Sequence, residues 1–379
     1  MIQACDPCLR RTALLGLLAG RIEIARRGGG QLRDVLALPD DELLAAVAGN
    51  KARGLAATVP ALAAAQRDAA RRAGLAAFCR HSDRYPARLR DDRAAPAVLF
   101  VAGRPERLAE LVGEGEARPP AAAVVGTRRA SPEGLEVARL LGRGLSAAGV
   151  AVVSGMALGI DGAAHDGALE AGGATVAVLA GGADVPYPLR RRRTYEQIVS
   201  RGAVVAEMPP GFHAHPWCFL ARNRIIAALA DATIVVEAAA RSGSLVTTEL
   251  ALELGRDVGA VPGSALSWRA EGVNALLRDG AALIRDARDA LDLVVGLDAA
   301  ARAAAEARAA GPVPAPPDLD PELAELLEAV EAGRDDVESL VGGPGAAASV
   351  QAGLMELELM GLVRRLPGGR VVRATGQAG

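Results

Sequence analysis

Seven short apolar runs between residues 121 and 286 alternate with stretches of helical periodicity, and this alternation constrains the fold more than any other feature. The runs are AAAVVG, VAVVSG, TVAVLAGG, AVVAEMPPG, TIVVEA, DVGAVPG and AALIRD. Continuous apolar runs indicate strands buried on both faces, and the helical stretches between them indicate parallel connections. We therefore predict an α/β fold with a doubly wound, Rossmann-like parallel sheet over residues 75–297.

The segments on either side of this region have a different character. Residues 1–74 show helical patterns only, which predicts a small helical module of the SAM or helix-hairpin-helix type. Residues 298–318 are rich in alanine and proline, as in a semi-rigid linker. Residues 319–376 are predicted to form three helices and a hairpin with a Pro-Gly-Gly turn, the pattern of a winged helix.

Within this predicted winged helix, the basic residues suited to nucleic acid lie on the hairpin and not on the presumed recognition helix. Its presumed recognition helix carries Glu356 and Glu358 and no basic residue. Arg364, Arg365 and Arg370 of the hairpin are therefore the favoured DNA contacts there.

Composition excludes several classes of function. The net charge of the 379 residues is −2, so any nucleic-acid site has to be a local patch. Lys51 is the only lysine, which removes the Walker A loop and its nucleotide hydrolysis. No uncharged apolar run reaches the roughly 18 residues of a membrane span, and no signal peptide pattern is present. We expect a soluble cytoplasmic protein.

The cysteines bear on metal binding. Four are scattered through the chain, which favours a reducing compartment. Cys5 and Cys8 form one CxxC motif, but no second CxxC follows, and His213 and His215 lack further ligands. We therefore predict no metal site and no cofactor.

Small or turn-forming residues end the strands of the predicted sheet. They are Gly126-Thr127-Arg128, Ser154-Gly155, Gly181-Gly182, Ser242-Gly243-Ser244 and Pro262-Gly263. The carboxyl ends of parallel strands meet at one edge of a sheet, and ligands bind in the crevice there. Glycine lets backbone N–H groups approach a ligand, and helix N-termini favour anions. The sequence thus predicts an anion-binding crevice.

Arginines near this crevice suggest a phosphate ligand. Arg128 follows the first glycine turn, and Arg222, Asn223 and Arg224 open a helical stretch. Guanidinium groups bind phosphate oxygens in bidentate geometry. The run from Arg190 to Arg193 could follow a nucleic-acid backbone or be a solvated face.

Two aromatic residues precede these arginines. Trp217 and Phe219 could stack on bases, although core packing is favoured for each.

The sequence offers few combinations of residues that could catalyse a reaction. Asp161 and His165 lie one helical turn apart, but no nucleophile accompanies them, and Asp161 is more simply a helix-start residue. Glu249, five residues after Ser244, is the one serious candidate acid. The glycines of SGMALGIDG do not have dinucleotide-binding spacing. We expect no enzymatic activity.

Five ordered segments together closely resemble the DNA-processing protein A family (DprA, also called Smf). They are VVGTRRASPEG, VVSGMALGIDGAAHDGALEAGGATVAVLAGGADVPYP, ARNRIIAALAD, VVEAAARSGSLVTTELALELGRDVGAVPG and EGVNALLRDGAALI, and the match is nearly continuous over residues 76–292. The resemblance implies a single-stranded DNA-binding protein that protects incoming DNA and loads the RecA recombinase in natural transformation. It also implies a homodimer formed through the Rossmann-like domain.

The resemblance also implies a set of DNA-binding residues, with Asn274 supporting them. They are Arg128, Ser154, Gly155, Arg222, Asn223, Arg224, Ser242, Gly243, Ser244 and Thr247. The chain departs from the family pattern at Leu158, where arginine is usual, and at Leu220, where proline is usual.

Two other functions stay open. RSGSLVTTEL resembles a degenerate phosphoribohydrolase loop of the LOG type, but it lacks the paired glycines and a matching acid. A transcription regulator that binds DNA through the winged helix is the other alternative.

Overall fold

The computed structural model describes residues 2–28, 31–90, 92–113, 119–296, 316, 319–332, 334, 337–340, 347–365 and 371–373. The chain divides into two units, Met1–Gly296 and Leu297–Gly379. The helical N-terminal segment belongs to the first unit together with the sheet. Apart from residue 316, the predicted linker at 298–318 lies outside the described residues.

Nine strands form the sheet of the first unit. They are β1 (Ala76–Cys79), β2 (Val98–Gly103), β3 (Ala121–Val125), β4 (Ala151–Ser154), β5 (Thr175–Gly182), β6 (Ala203–Met208), β7 (Ala232–Val235), β8 (Asp257–Ala260) and β9 (Ala282–Leu283). Their order is β1-β2-β6-β5-β4-β3-β7-β8-β9. The strands from β6 to β9 are parallel, whereas β1 and β2 extend one edge with antiparallel pairing. The predicted α/β doubly wound sheet is confirmed, and its antiparallel edge is an addition.

Thirteen α-helices are described in the first unit. They are α1 (Asp6–Arg27), α2 (Leu32–Ala37), α3 (Asp40–Ala48), α4 (Ala52–Arg72), α5 (Ala87–Arg90), α6 (Pro105–Val112), α7 (Pro132–Ala147), α8 (Ile160–Glu170), α9 (Arg192–Arg201), α10 (Pro216–Leu229), α11 (Leu245–Glu253), α12 (Glu271–Arg278) and α13 (Ala287–Val295). None of the helices among the described residues is long and apolar enough to cross a membrane.

The strands are continuously apolar because alternate side chains enter different cores. Ala122 and Val124 of β3 pack with Leu141 of α7, on the side that also holds α8 and α13. Ala123 of β3 packs with Ile225 of α10 on the opposite face. Successive side chains of a strand point to opposite faces, so a sheet covered on both sides needs an apolar residue at every position.

The first helix anchors the N-terminal segment to the sheet. Leu14, Leu18 and Ile22 follow a four-residue spacing, so they lie on one face of α1, and all three are buried. They join a core that includes Ala206 of β6 and Trp217 of α10. The helical segment and the α/β sheet therefore share one hydrophobic core.

The strand order reverses between β3 and β7. From β3 the chain continues outwards through β4, β5 and β6, and it then returns to place β7 on the other side of β3. Connections leave the two adjacent strands in opposite directions at such a point, which opens a crevice at their carboxyl ends.

The second unit contains three helices and a hairpin. They are α14 (Pro321–Glu331), α15 (Val337–Leu340), α16 (Ala347–Leu359), β10 (Val363–Arg365) and β11 (Val371–Arg373), and β10 pairs antiparallel with β11. Leu323, Leu354 and Val371 belong to its separate core. These elements match the predicted winged-helix pattern. Arg370 and the side chains of Arg364 and Arg365 lie outside the described part.

Candidate functional site

A pocket of about 340 Å³ lies at the carboxyl ends of β3 and β7, where the strand order reverses. Three pieces of chain form its walls: the turn after β3, one side of α10 and the turn before α11. Seven of the ten residues predicted to bind DNA line it, namely Arg128, Arg222, Asn223, Ser242, Gly243, Ser244 and Thr247. The fold thus brings together residues more than a hundred positions apart. Their contact with DNA stays a prediction.

The turn after β3 is held in place by Glu237. The Thr127 N–H donates to the Glu237 carbonyl oxygen at 2.8 Å. The Glu237 carboxylate accepts from the Ser131 hydroxyl at 2.6 Å, and the Ser131 hydroxyl in turn accepts from the Gly134 N–H at 3.0 Å. Ser131 therefore caps α7, and Glu237 fixes the whole turn that carries Arg128.

Arg128 lies exposed at the mouth of the pocket. Its guanidinium carbon is 4.5 Å from the centre of the Phe219 ring, close enough for a cation–π contact. The Tyr187 ring centre lies a further 5.5 Å from that of Phe219. The mouth thus combines one positive charge with aromatic surface.

Arg222 and Asp161 form the floor of the pocket and are both buried. Arg222 donates to the Val178 carbonyl oxygen at 2.8 Å, to the Asn223 side-chain oxygen at 3.1 Å and to Asp161 at 3.4 Å. Burial raises the pKa of Asp161, although the Arg222 charge opposes that rise. Burial likewise lowers the pKa of Arg222. The two charges offset each other, so the floor adds little net positive charge.

The turn before α11 places two serine hydroxyls at the N-terminus of that helix. The Asn223 amide donates to the Gly243 carbonyl oxygen at 3.1 Å and so connects this turn to α10. The Ser242 and Ser244 hydroxyl oxygens lie 2.7 Å apart beside the first residues of α11. Hydroxyls at a helix N-terminus, together with its free N–H groups, suit a phosphate.

Ser154, Gly155 and Arg224 are absent from the pocket lining. Ser154 is fully buried, and its hydroxyl donates to the Val124 carbonyl oxygen at 2.6 Å. Gly155 has a supporting role, because a Cβ at this position would overlap the Arg222 guanidinium.

Arg224 is also a structural residue in this fold. It is buried and donates to the Ala94 and Ala221 carbonyl oxygens, each at 2.9 Å, and to Glu207 at 2.7 Å. These protein groups occupy its guanidinium, so the geometry does not support a direct DNA contact by Arg224.

Two family models match the chain. The model of DNA recombination-mediator protein A covers residues 76–295, which is more than half of the chain, and that of the DprA winged helix domain covers residues 310–369. The chain belongs to the DprA/Smf family.

Individual members of the family agree with this assignment. A DprA of Mycobacterium tuberculosis is 48% identical over 208 residues, which are 55% of this chain and 52% of the relative. The match therefore spans about half the length of that curated relative.

Two solved structures share the fold. The DprA structure from Streptococcus pneumoniae has a TM-score of 0.58 at 32% identity, covering 75% of this chain and 95% of that one. The DprA structure from Helicobacter pylori, described for its single-stranded DNA binding mode, has a TM-score of 0.51 at 26% identity, covering 57% and 94%.

The remaining residues singled out in the sequence lie as follows. Trp217 is fully buried, whereas Phe219 lines the pocket. Arg191 is held by Asp166 and by the Gly162 carbonyl oxygen, so this member of the arginine run supports α8. Asn274 forms two hydrogen bonds with the backbone of Gly263, at 3.2 and 3.1 Å. Asn274 thus supports the loop after β8.

His165 and Glu249, two groups that the sequence offers for acid–base catalysis, are poorly placed for it. Burial lowers the pKa of His165 to about 3, and the Arg191 and Arg222 charges act in the same direction. His165 therefore stays neutral near pH 7. Glu249 lies exposed on α11 and is not part of the pocket lining.

Two residues of the loop after β8, Trp268 and Arg269, lie next to the pocket and were not identified as candidates in the sequence. The Trp268 side chain is 55% exposed, and the Arg269 guanidinium carbon lies 4.7 Å from its ring centre. Arg269 also donates to the Arg129 carbonyl oxygen at 3.3 Å, which brings this pair next to the pocket. Trp268 is one of two tryptophans and follows a strand at the edge of the sheet where the sequence predicts a crevice, a signal that could have identified it.

A group of potential metal ligands was not identified in the sequence either. Among the described residues, one group of cysteine, histidine or acidic side chains could hold a metal ion: Cys5, Cys8, Cys79 and His81. None of these residues lines the pocket. The CxxC spacing does not reveal the pair Cys79-Arg80-His81, which has one intervening residue.

Proposed function

We propose that this chain binds single-stranded DNA at the pocket between β3 and β7, without cleaving it. The observation that carries this proposal is the convergence of Arg128, Phe219 and the Ser242–Ser244 turn at the switch point of the sheet. The Ser242–Ser244 turn binds a phosphate at the start of α11, and Arg128 neutralises it. Membership of the DprA/Smf family supports the same ligand.

Aromatic surface favours a single strand over a duplex. Phe219 and Tyr187 lie at the mouth, and Trp268 is exposed beside it. Unpaired bases can stack on such rings, whereas the base faces of a duplex are already stacked on each other. Arginine against Phe219 and Trp268 adds cation–π surface.

Fluorescence anisotropy with labelled oligonucleotides tests the proposal. We expect single strands to bind more tightly than duplex of the same length, with an affinity that falls as salt rises. Arg128→Ala should weaken single-strand binding by about 1–3 kcal/mol. Arg143→Ala is the matched control, because Arg143 is exposed on α7 outside the pocket.

Two results would count against this assignment. Equal or tighter binding of duplex would contradict single-strand recognition. An Arg128→Ala variant that binds like Arg143→Ala would show that the pocket is not the DNA site.

The proposal includes the absence of an enzymatic activity. A phosphoribohydrolase needs an acid at the sugar, and Glu249 is exposed outside the pocket lining. We expect no release of free base from AMP by the purified chain. Base release that Glu249→Gln abolishes would establish the alternative function.

We also propose that the chain delivers the bound strand to the RecA recombinase during natural transformation, in the cytoplasm and as a homodimer. Family membership supports this role. A pull-down of RecA with the full chain, with and without single-stranded DNA, tests the delivery, and light scattering after size exclusion tests the dimer. Absence of RecA in both pull-downs would contradict the delivery, and a monomeric mass would contradict the dimer.

One groove among the described residues of the second unit has charges that do not favour duplex binding. An open groove of about 810 Å³ there is lined by carboxylates on α14 and α16 and by one arginine, Arg334. The acidic residues are Asp320, Glu322, Glu325, Glu328 and Glu356. Such a groove repels a DNA backbone, so we expect this face of the winged helix to contribute protein contacts rather than transcriptional control.

A further inference from the structure

Three cysteines and one histidine meet where the start of the chain contacts the end of β1. Cys5 immediately precedes α1 and Cys8 lies in its first turn, while Cys79 ends β1 and His81 follows two residues later. Cys8 and Cys79 are buried, Cys5 is half-buried and His81 is exposed. Their four ligand atoms all lie within 4.8 Å of one another.

The distances fit a tetrahedron. His81 Nδ1 lies 3.4 Å from Cys5 Sγ, 3.5 Å from Cys8 Sγ and 4.0 Å from Cys79 Sγ, and Cys5 Sγ lies 3.9 Å from Cys79 Sγ. Tetrahedral zinc has Zn–S bonds of about 2.3 Å and Zn–N bonds of about 2.0–2.1 Å, which separates its ligand atoms by about 3.6–3.8 Å. The four side chains are thus already spaced as ligands of one ion.

Neither a disulfide nor a hydrogen-bonded thiol cluster fits these distances as well. A disulfide requires sulfurs about 2.05 Å apart, whereas the Sγ atoms of Cys5 and Cys79 are 3.9 Å apart and all four cysteines are free. A hydrogen-bonded thiol cluster leaves a mismatch, because three sulfurs approach the same Nδ1 atom. That nitrogen has one lone pair when it is an acceptor, so it satisfies one S–H donor.

We propose that Cys5, Cys8, Cys79 and His81 form a structural zinc site. Soft thiolates with one imidazole select zinc over magnesium or calcium. Four protein ligands complete the coordination, so the site has no open position for a substrate.

The site would connect two parts of the chain that are distant in sequence. The Gln3 N–H donates to the Ala77 carbonyl oxygen at 2.8 Å, so the start of the chain already pairs with β1. Further along α1, the Trp217 indole N–H of α10 donates to the Ala19 carbonyl oxygen at 2.9 Å. Zinc would fix the first turn of α1, and α1 in turn packs against the helix that carries Phe219 and Asn223.

Metal analysis of the full chain, purified under reducing conditions, tests this proposal. We expect about one zinc per chain in the parent, as in other closed sites with four protein ligands. Cys79→Ser should lose the zinc, and His81→Ala should lose it on dialysis against a chelator that the parent withstands. Cys218→Ser is the matched control, because Cys218 is a buried thiol outside the cluster; it should retain the zinc.

Cobalt titration of the metal-free parent gives a second test that needs no variant to fold. Tetrahedral cobalt bound by thiolates should produce intense visible d–d bands and a sulfur-to-metal charge-transfer band, and zinc should displace it. Parent protein that contains no zinc and takes up neither metal would overturn the proposal. Zinc retained by Cys79→Ser, or lost equally by Cys218→Ser, would overturn it as well.

Discussion

Replacement of Gly155 by alanine should displace the Arg222 side chain, which forms part of the floor of the pocket. A Cβ at this position would overlap the Arg222 guanidinium, which lies against the Gly155 backbone. The guanidinium would have to leave its place between the Val178 carbonyl oxygen and Asp161. Asp161 would then be buried without its cation.

The cost follows from the contacts that Arg222 loses. Its hydrogen bond to Val178 is short, at 2.8 Å, and a bond from a charged donor contributes about 1.5–3 kcal/mol. The contact with Asp161 is longer, at 3.4 Å, and adds less. We expect Gly155→Ala to lower the free energy of unfolding by about 2–4 kcal/mol, the range for a disrupted buried polar network.

The loss should also affect the Ser242–Ser244 turn, the proposed phosphate site. Arg222 donates to the Asn223 side-chain oxygen, and Asn223 donates to the Gly243 carbonyl oxygen. Displacement of Arg222 therefore frees Asn223 and loosens its hold on the Ser242–Ser244 turn. Single-strand affinity should fall even at temperatures where the variant remains folded.

Urea unfolding followed by tryptophan fluorescence measures the stability, because Trp217 is fully buried. Gly243→Ala is the control: a Cβ there would have Leu220 as its nearest neighbour, at 3.9 Å, which is ordinary contact. In an Arg222→Met background, Gly155→Ala should cost clearly less, since the guanidinium is gone. Equal unfolding midpoints for Gly155→Ala and Gly243→Ala would refute the reasoning.

Three further predictions concern single side chains. Arg224→Ala should lower stability by about 3–5 kcal/mol, because it leaves Glu207 buried without its partner, whereas Arg128→Ala loses an exposed cation–π contact and should cost no more than about 1 kcal/mol. Leu158→Arg, at an exposed position next to the pocket-lining Ala157, should tighten single-strand binding and steepen its salt dependence by about −0.7; an unchanged salt slope would contradict a phosphate contact there. The hydrogen bond from Arg26 holds the pKa of Glu23 at about 2, below the ordinary 4.5. The Glu23 carboxylate thus stabilises the fold above pH 4.5, and this contribution disappears as the pH falls towards 2. Acid unfolding should therefore be shallower in Glu23→Gln, and parallel acid curves for parent and variant would be the contrary result.

The two arginines of the ARNR motif show how far sequence can predict a site. Arg222 and Arg224 are two residues apart in α10, so they point about 200° apart around the helix axis. Only one of them can therefore face the crevice. Which one does so depends on the rotation of α10 against the sheet, which is set by the packing of Ile225 and Trp217 in separate cores. The local sequence around the ARNR motif does not determine that rotation.

Strands and turns were easier to predict than contacts between distant segments. The apolar runs and the glycine turns identified the parallel strands and the edge of the sheet at which the pocket lies. The sequence did not predict the pairing of β1 with β2. The position of Cys79 at the end of an edge strand was therefore not predicted either. Cys8 and Cys79 are 71 positions apart by their numbering, so only the docking of α1 on β1 brings them together.

The charges around the pocket determine the salt dependence that we expect for the proposed DNA binding by one copy of the chain. Asp161 offsets Arg222, and Glu237 lies 4.0 Å from Arg269, whereas Arg128 and Arg129 have no ion pair among the described residues. Each phosphate contact on a single strand contributes about −0.7 to the slope of log affinity against log salt, so two contacts give about −1.4.

Binding by a homodimer should therefore depend on oligonucleotide length. A strand that reaches both pockets should show a slope near about −2.8, twice that of a strand that reaches one, because four phosphates are neutralised. Avidity should raise its affinity as well, since the second contact is intramolecular. Anisotropy over a salt series with a short and a long oligonucleotide measures both slopes. Equal slopes for the two lengths would mean that the pockets act singly, and the proposed role of the homodimer in holding the strand would have to be abandoned.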